Sequence, residues 1–351
     1  MEFGHFCLPT YFADVDGPVG DFARRFVDFL VESEELGFDS LWANEHHFDA
    51  YGGIVPSPPI MLSALAQRTR RVRLGTSVIV LPLHNPIEIA EQIAMIDLMS
   101  NGRVEFGVGR GFVHFDYERL GVPIDGAQDR LKEALAFILK AWQGGKVSHH
   151  GNYYTYSDME LWPQPQQRPH PPVWLSCTAT PASFEWAGQQ GYNILTVVYR
   201  SVEALVKLNQ LYRDAWDAAG HKKNGWRISA HFQVVLSEDR REAREICAKA
   251  LQRYMGAITH TLDRQRADRE YNAGRQQVGQ ELADIDRVVE ECRVIAGTPE
   301  DAVRVLTRAH DLMRFTSCDC TFYFGGISFA QAQRSQSLFA REVMPRLRAK
   351  V

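Results

Sequence analysis

Features that several functional classes require are missing from this sequence of 351 residues. No apolar run approaches the ~20 residues that a membrane-spanning helix needs. Residues 1–6, Met-Glu-Phe-Gly-His-Phe, lack the basic and apolar regions of a signal peptide. The formal net charge is -4, whereas a nucleic-acid-binding surface is basic. The sequence therefore predicts a protein that binds neither membranes nor nucleic acids and is not secreted.

Cysteine is scarce and scattered. The chain has 6 cysteines and no C-x-x-C pair, and Cys318 and Cys320 are closer together than the usual zinc ligands. We therefore expect reduced thiols in a cytoplasmic protein. A G-x-S-x-G motif is also missing, which argues against an α/β-hydrolase triad.

Strand-like and helix-like segments alternate along most of the chain, which is typical of a parallel sheet covered by helices. Eight strands are predicted, so we expect an α/β fold, a (β/α)8 TIM barrel, as one domain over residues 1–351. Residues 149–172 interrupt the alternation after the fourth helix and are interpreted as a surface excursion. Charged, Gln-rich residues 260–291 follow the seventh strand and are interpreted as a mobile segment over an active site. The predicted strands are 3–8, the start of 40–48, 72–81, 103–109, 173–177, 194–198, 228–236 and 321–324.

The stretch 40–48 is the first candidate for chemistry. Its apolar residues Leu41 to Ala43 give way abruptly to Asn44, Glu45, His46 and His47. A buried parallel strand that delivers polar groups at its carboxyl end has this pattern, and ligands bind at that end of α/β folds. Because neighbouring strand residues point to opposite faces, only one histidine faces the site if the strand continues. The alternative is that both histidines are hydrogen-bonded structural groups.

Glycines 107 and 109 end the fourth strand and Gly111 follows it, with Arg110 between the last two. This is not the G-x-G-x-x-G fingerprint, and no acidic residue closes a second strand about 20 residues further on, so we expect no Rossmann nicotinamide site. Glycine allows the backbone to approach a flat or anionic ligand, and Arg110 can hold a phosphate with its planar guanidinium. The alternative for Arg110 is a surface ion pair.

Residues 176–183 join the fifth strand to a helix. Thr178, Thr180 and Ser183 place hydroxyls beside the unpaired N–H groups of the first helical turn, which is a natural phosphate site. The alternative is that Thr180 simply caps the helix.

A metal site at His46 and His47 is disfavoured, because the other strand ends offer no strong ligand. Those ends carry Ser77, Gly109, Thr178, Thr196 and Tyr323. We expect His231 to be a core histidine, and His84 and His114 to be surface residues on loops. A metal-dependent barrel hydrolase is accordingly the most remote alternative.

Several motifs, in order over nearly the whole chain, resemble those of the luciferase-like flavin monooxygenase family. The resemblance is greatest to the FMN-using branch, which includes the bacterial luciferase α subunit. The matching pieces are Phe38 to Trp42 with Glu45 to Phe48, Leu74 to Thr76, Val80 to Pro82 with Asn85-Pro86, Asp97 to Ser100 with Gly102-Arg103, Phe106-Gly107 to Gly111, Thr178 to Trp186, Gly297 to Glu300, and Leu338-Phe339 to Pro345.

The resemblance implies roles for several residues. His46 matches the catalytic histidine. Ser77-Val78 matches a non-prolyl cis peptide beneath the flavin ring, and Gly109 lies at the same site. Arg110 with Thr178, Thr180 and Ser183 matches the phosphate grip. Luciferase has a reactive cysteine in place of Gly109 and an acidic residue in place of Ala179, so the resemblance does not imply light emission from a long-chain aldehyde.

The resemblance also implies a reaction. Reduced FMN, supplied by a separate NAD(P)H-dependent flavin reductase, reacts with O2 to give a C4a-hydroperoxide, and one oxygen atom enters a small organic substrate. His46 acts as base or hydrogen-bond partner, His47 belongs to the same catalytic group, and Glu45 or Asn44 orients His46 or contacts the flavin. The family is usually dimeric, so a homodimer is expected. The alternatives are an F420-dependent oxidoreductase and a flavin-binding subunit without catalysis.

Overall fold

The computed structural model describes residues 1–198, 202–263 and 284–349. The strands are β1 (Glu2–Cys7), β2 (Ser40–Ala43), β3 (Arg73–Thr76), β4 (Ile79–Val80), β5 (Val104–Gly109), β6 (Lys146–His150), β7 (Thr155–Glu160), β8 (Val173–Ser176), β9 (Asn193–Val197), β10 (Ile228–Leu236), β11 (Ile295–Gly297) and β12 (Ser317–Thr321). Eight of these strands pair in parallel in the order β1-β2-β3-β5-β8-β9-β10-β12, and β12 pairs again with β1. This closed ring with helices around it is the predicted (β/α)8 barrel.

Helices surround the barrel. They are α1 (Ala13–Asp16), α2 (Val19–Glu35), α3 (Pro58–Arg68), α4 (Pro86–Met99), α5 (His114–Arg119), α6 (Ala127–Ala141), α7 (Pro181–Gln190), α8 (Val202–Ala218) and α9 (Arg240–Asp263), followed by Ile285–Glu290, Pro299–Met313, Phe329–Leu338 and Met344–Arg348. No helix in the described part of the chain combines the length and apolar character that crossing a bilayer requires.

The helices form where the apolar spacing predicts them. In α2, Phe22, Phe26 and Phe29 recur at helical spacing and are all buried against the barrel. The helix Pro299–Met313 begins with a capping box: the Thr298 hydroxyl accepts from the Asp301 N–H, and the Asp301 side chain accepts from the Thr298 N–H.

The strands can approach closely because some positions lack a side chain. Gly75 pairs with Trp42 across β2 and β3. A Cβ at Gly75 would lie only 2.1 Å from the Trp42 ring, so only glycine leaves room for this indole. Trp42 then packs edge-to-face against Trp174 of β8, with ring centroids 5.2 Å apart.

The third predicted strand, 72–81, is interrupted. The Ser77–Val78 peptide bond is cis, as the resemblance implied, and it separates β3 from the two-residue β4. β4 continues the pairing with β5, so the break turns the chain at the carboxyl end of the barrel without ending the sheet there.

The prediction for the eighth strand, residues 321–324, is wrong, because the strand is Ser317–Thr321. Its residues alternate between cysteines and the polar Ser317, Asp319 and Thr321, all of them buried. Two of the polar side chains bond to the neighbouring strand β10: Asp319 accepts from the Ser229 hydroxyl, and the Thr321 hydroxyl lies 2.8 Å from His231 Nε2. The aromatic residues that suggested a strand follow it instead.

The sequence predicted two interruptions of the strand–helix alternation, and the structure describes the first more fully than the second. The surface excursion predicted at 149–172 overlaps the antiparallel hairpin β6–β7. The Glu133 carboxylate of α6 holds this hairpin by accepting the backbone N–H groups of residues 152–154. Of the segment 260–291, residues 264–283 lie outside the described residues, and helix Ile285–Glu290 follows them.

Candidate active site

A cavity of about 460 Å³ lies at the carboxyl ends of the barrel strands. Sites for small molecules typically span roughly 300–1,000 Å³. The wall includes Asn44, Glu45 and His46 after β2, Ser77 and Val78 after β3, Arg110 after β5, and Thr178, Thr180 and Ser183 after β8. Four strand ends that are far apart in the sequence therefore converge on one cavity, and His46 and Arg110 both line it.

His46 is the histidine of the pair that lines the cavity. It is half-buried, and its ring packs against Tyr51 and Phe112, with centroids 4.5 and 5.8 Å away. His47 is turned elsewhere, with its Nε2 3.0 Å from Glu45 Oε1. The strand does not continue to the histidines, because β2 ends at Ala43. The two imidazoles nevertheless differ: His46 lines the cavity, and His47 bonds to Glu45.

Glu45 holds several elements together. Its side chain is fully buried, and Oε2 accepts from the Val80 N–H at 2.9 Å. Oε1 bonds to His47 at 3.0 Å and to His84 Nε2 at 2.7 Å. Burial would raise the pKa of Glu45, but the hydrogen bonds from His47 and His84 outweigh it and lower the pKa to about 2. Glu45 is therefore a buried carboxylate that fixes its neighbours.

His84 is not the plain surface residue that the sequence suggested, because it bonds to this carboxylate. His47 responds to the same charge. Burial alone would lower its pKa, but the hydrogen bond to Glu45 and the nearby carboxylates raise the pKa of His47. Glu45 and the two imidazoles thus form a compact polar cluster next to His46.

The cavity wall after β5 and β8 contains a positive charge, in contrast to the Glu45 carboxylate after β2. Arg110 lines the cavity, and in the described part of the chain it forms no ion pair, so the expected alternative of a surface ion pair is not what the structure shows. Thr180 occupies the N-cap position of α7, but its side chain does not cap the helix. A guanidinium, an uncapped helix start and the hydroxyls of Thr178 and Ser183 are the donors that a phosphate group requires.

Ser77 and Val78 lie between these two regions. Both line the cavity and share the cis peptide. Gly109 is not among the lining residues, but a Cβ there would lie 2.7 Å from Val78 Cγ2. The glycine therefore makes room for Val78 at the cavity wall, which is its structural contribution to the site.

A family model described as luciferase-like monooxygenase matches residues 1–322. The chain belongs to the luciferase-like monooxygenase family. It is 34% identical over 192 residues to the flavin-dependent trigonelline monooxygenase, oxygenase component, of Acinetobacter baylyi, over 53% of this chain and 52% of that one. Like this relative, the protein is an oxidoreductase.

Solved structures agree with this fold. Monooxygenase RslO1 from Streptomyces bottropensis superposes with a TM-score of 0.88 at 28% identity, over 99% of this chain and 100% of that one. The oxygenating constituent of 3,6-diketocamphane monooxygenase from Pseudomonas putida, in complex with FMN, gives 0.79 at 19% identity, over 99% and 98% of the two chains. The second similarity concerns the fold alone.

The floor of the cavity in this luciferase-like monooxygenase contains residues that sequence reasoning missed. His231, expected only in the core, is buried and also lines the cavity, with its ring 4.2 Å from Phe6. Ser229 and Asp319 lie beside it. Burial lowers the pKa of His231 to about 3, so the ring is neutral, and burial raises the pKa of Asp319 to about 7. The available signal was that polar residues occupy alternate positions of β10 and β12, which places them on one face of each strand.

Two further residues of the cavity wall carry polar atoms without a protein partner. Asp116 of α5 is buried, and its Oδ1 makes no hydrogen bond within the described residues. The same is true of both amide atoms of Asn44. Buried polar atoms are normally paired, so both side chains are arranged for a bound molecule or water. No sequence motif around Asp116 predicted that it would line the cavity.

No group of three or more His, Cys, Asp or Glu side chains in the described ranges is arranged to hold a metal ion. All six cysteines are buried and free of disulfide bonds.

Proposed function

We propose that the protein is the oxygenase component of a two-component, FMN-dependent monooxygenase that transfers one atom of O2 to a small organic substrate. The observation that carries this proposal is that His46 and the Arg110–Thr178–Ser183 group line the same cavity. One ligand with a flat ring and a phosphate tail can contact both, and reduced FMN has that form.

The phosphate of FMN would lie against Arg110 and the start of α7. Phosphate is a dianion near neutral pH, and charge-assisted hydrogen bonds to guanidinium and to helix N–H groups are stronger than neutral ones. Lys132 also lines this side, where its ammonium lies 5.3 Å from the Trp186 ring. The ring of the flavin would then extend past the Ser77–Val78 peptide towards His46.

Reduced FMN, when bound, supplies the activation of O2. His46 would hold or move the proton at the reacting oxygen, because an imidazole titrates near neutral pH. The Tyr51 and Phe112 rings beside it would exclude water from that end of the cavity. Glu45 acts as a positioning residue, since its carboxylate bonds to His47, His84 and the Val80 N–H.

A separate reductase would supply the reduced flavin. The sequence has no G-x-G-x-x-G fingerprint for a nicotinamide nucleotide. The relative from Acinetobacter baylyi is itself described as an oxygenase component. The buried, unlinked thiols fit a reducing, cytoplasmic location.

We further propose a homodimer. Ile60 of α3 and Met95, Leu98 and Met99 of α4 are exposed large apolar side chains on two adjacent helices. An apolar patch of this kind on a protein surface commonly marks an interface. Light scattering of the purified protein should give the mass of a dimer, and Met95→Glu should shift it towards the monomer. A monomeric wild type would contradict this part of the proposal.

The function is tested by comparing three ligands anaerobically: reduced FMN, FMN and reduced F420. The proposal predicts that reduced FMN binds most tightly. With a flavin reductase, NADH and air, the protein should then yield oxygenated product from a panel of small organic compounds. Tighter binding of F420, or hydride transfer to substrate without O2 uptake, would contradict it in favour of the F420-dependent alternative. Absence of O2 chemistry with bound flavin would favour a non-catalytic subunit.

A further inference from the structure

Charged groups are distributed unevenly in the cavity wall. The cations Arg110 and Lys132 belong to the side where the flavin phosphate is proposed to bind. Asp116 instead interacts electrostatically with Glu45, His47 and Asp49, the groups that follow β2. The side of the cavity next to His46 is therefore acidic, whereas the phosphate side is basic.

Asp116 is the acidic residue of the cavity wall whose hydrogen bonding the protein leaves incomplete. The residue is 5% exposed, and its Oδ1 has no hydrogen-bond partner within the described residues. No lysine or arginine in those residues forms an ion pair with it. An unpaired carboxylate away from water is unfavourable, so such a group is paired by a ligand or stays protonated.

Asn44 adds a second, independent observation. It is 2% exposed, and both its amide nitrogen and its amide oxygen lack partners in the described chain. The Asn44 Nδ2 and His46 Cδ2 atoms lie 2.8 and 2.9 Å from the point that a Cβ of Gly52 would occupy. The unpaired amide is thus adjacent to the imidazole proposed to act on oxygen.

The rings beside His46 complete this surface. Tyr51 and Phe112 both line the cavity and both pack against the imidazole. Aromatic rings stabilise an organic cation through their faces as well as by apolar contact. An anionic substrate would meet the carboxylate of Asp116 on this side, whereas the Glu45 carboxylate is already bonded to His47 and His84.

We propose that the substrate is an organic amine that binds as its cation, with the charged nitrogen on Asp116 and a neighbouring polar atom on Asn44. This inference rests on the proposed function, because it assigns the remaining part of the cavity once the flavin is bound. It excludes fatty acids and other carboxylates as good substrates. The amine nitrogen marks one end of the substrate, and the atom to be oxygenated lies towards His46.

The test uses three compounds of nearly equal shape: benzylamine, benzyl alcohol and benzoate. Their dissociation constants would be measured by calorimetry on the full-length protein saturated with reduced FMN under anaerobic conditions. Wild type should bind benzylamine at least about tenfold more tightly than benzyl alcohol, which is ~1.4 kcal/mol, and benzoate least tightly. The isosteric variant Asp116→Asn should lose this preference and keep its affinity for benzyl alcohol.

The matched control is Glu118→Gln, which removes an exposed carboxylate from the same short helix. It should leave the amine preference unchanged. The inference is overturned if wild type shows no preference for benzylamine, including failure of all three compounds to bind. It is also overturned if Asp116→Asn keeps the preference, or if that variant loses affinity for reduced FMN only. Failure of wild type to bind reduced FMN at all is read separately and counts against the proposed function.

Discussion

The backbone N–H of Val80 donates a hydrogen bond of 2.9 Å to Glu45 Oε2, which connects the end of β2 to the chain just after the cis Ser77–Val78 peptide. One buried carboxylate thus positions both the segment that carries His46 and the cavity wall opposite it. Because the same carboxylate bonds to His47 and His84, the geometry of the site depends on a residue that reaches the substrate only through its neighbours.

Glu45→Gln should separate this positioning role from cofactor binding. The amide keeps the shape but loses the negative charge, so three hydrogen bonds weaken and the free energy of unfolding should fall by roughly 2 kcal/mol. The pKa of His47, raised by Glu45 in the wild type, should decrease, which nuclear magnetic resonance titration of the imidazole would measure. An unchanged His47 pKa would show that the carboxylate does not act as described.

His46→Ala and His47→Ala form a matched pair, because the two histidines are neighbours in the chain and only His46 lines the cavity. The first variant should lose most oxygenated product, at least about tenfold, because a positioned proton-transfer group contributes that much or more. It should still bind reduced FMN, and oxygen uptake should shift from product to hydrogen peroxide. His47→Ala should retain more product than His46→Ala. Equal turnover of His46→Ala and wild type would eliminate the proposed role of His46.

Asp116 predicts a pH effect on stability. Burial, with the charges of Glu45 and Asp49, raises the pKa of Asp116 to about 7 against the opposing effect of His47. The folded protein therefore binds a proton that the unfolded chain has lost, and stability falls as pH rises from about 4 to about 7, by at most ~1.4 kcal/mol per pH unit. Asp319, whose pKa is also raised to about 7, acts in the same direction.

Urea unfolding at several pH values would measure this effect. Asp116→Asn should lose less free energy of unfolding than wild type between about pH 5 and about pH 7, since the amide does not titrate. His47 and Asp319 titrate in both proteins, so their contributions largely cancel in the comparison. Parallel pH profiles for the two proteins would contradict the raised pKa.

The sequence predicted the barrel well because seven of its strands have enough apolar residues to show a buried strand. The eighth was misplaced because it alternates cysteines with buried polar residues, of which Asp319 and Thr321 bond to groups of the neighbouring strands β10 and β1. Apolar content identifies strands whose side chains pack in the hydrophobic core, and it does not detect strands whose inner face is polar. The aromatic residues Phe322 and Phe324 supplied a false signal nearby.

The site could be predicted where its residues are contiguous, as in 44–47 and 178–183. It could not be predicted where the partners are distant: His84 lies 39 residues after Glu45 and follows a different strand. Asp116 and His231 were missed for the same reason, because only the folded barrel brings them to the cavity. Local patterns identify the strand end that carries chemistry, whereas the groups that tune it come from elsewhere in the chain.

The central claim is that one flavin spans the cavity with its phosphate on Arg110 and its ring near His46. The most direct measurement is the ratio of the dissociation constants of reduced riboflavin and reduced FMN, which differ only in the phosphate. Arg110→Ala should lower the preference for FMN by roughly 30-fold, or ~2 kcal/mol for a lost charge-assisted hydrogen bond. Arg119→Ala, which removes an exposed cation stacked on Phe115, should leave the ratio unchanged. An Arg110→Ala variant that keeps the wild-type ratio would contradict the account.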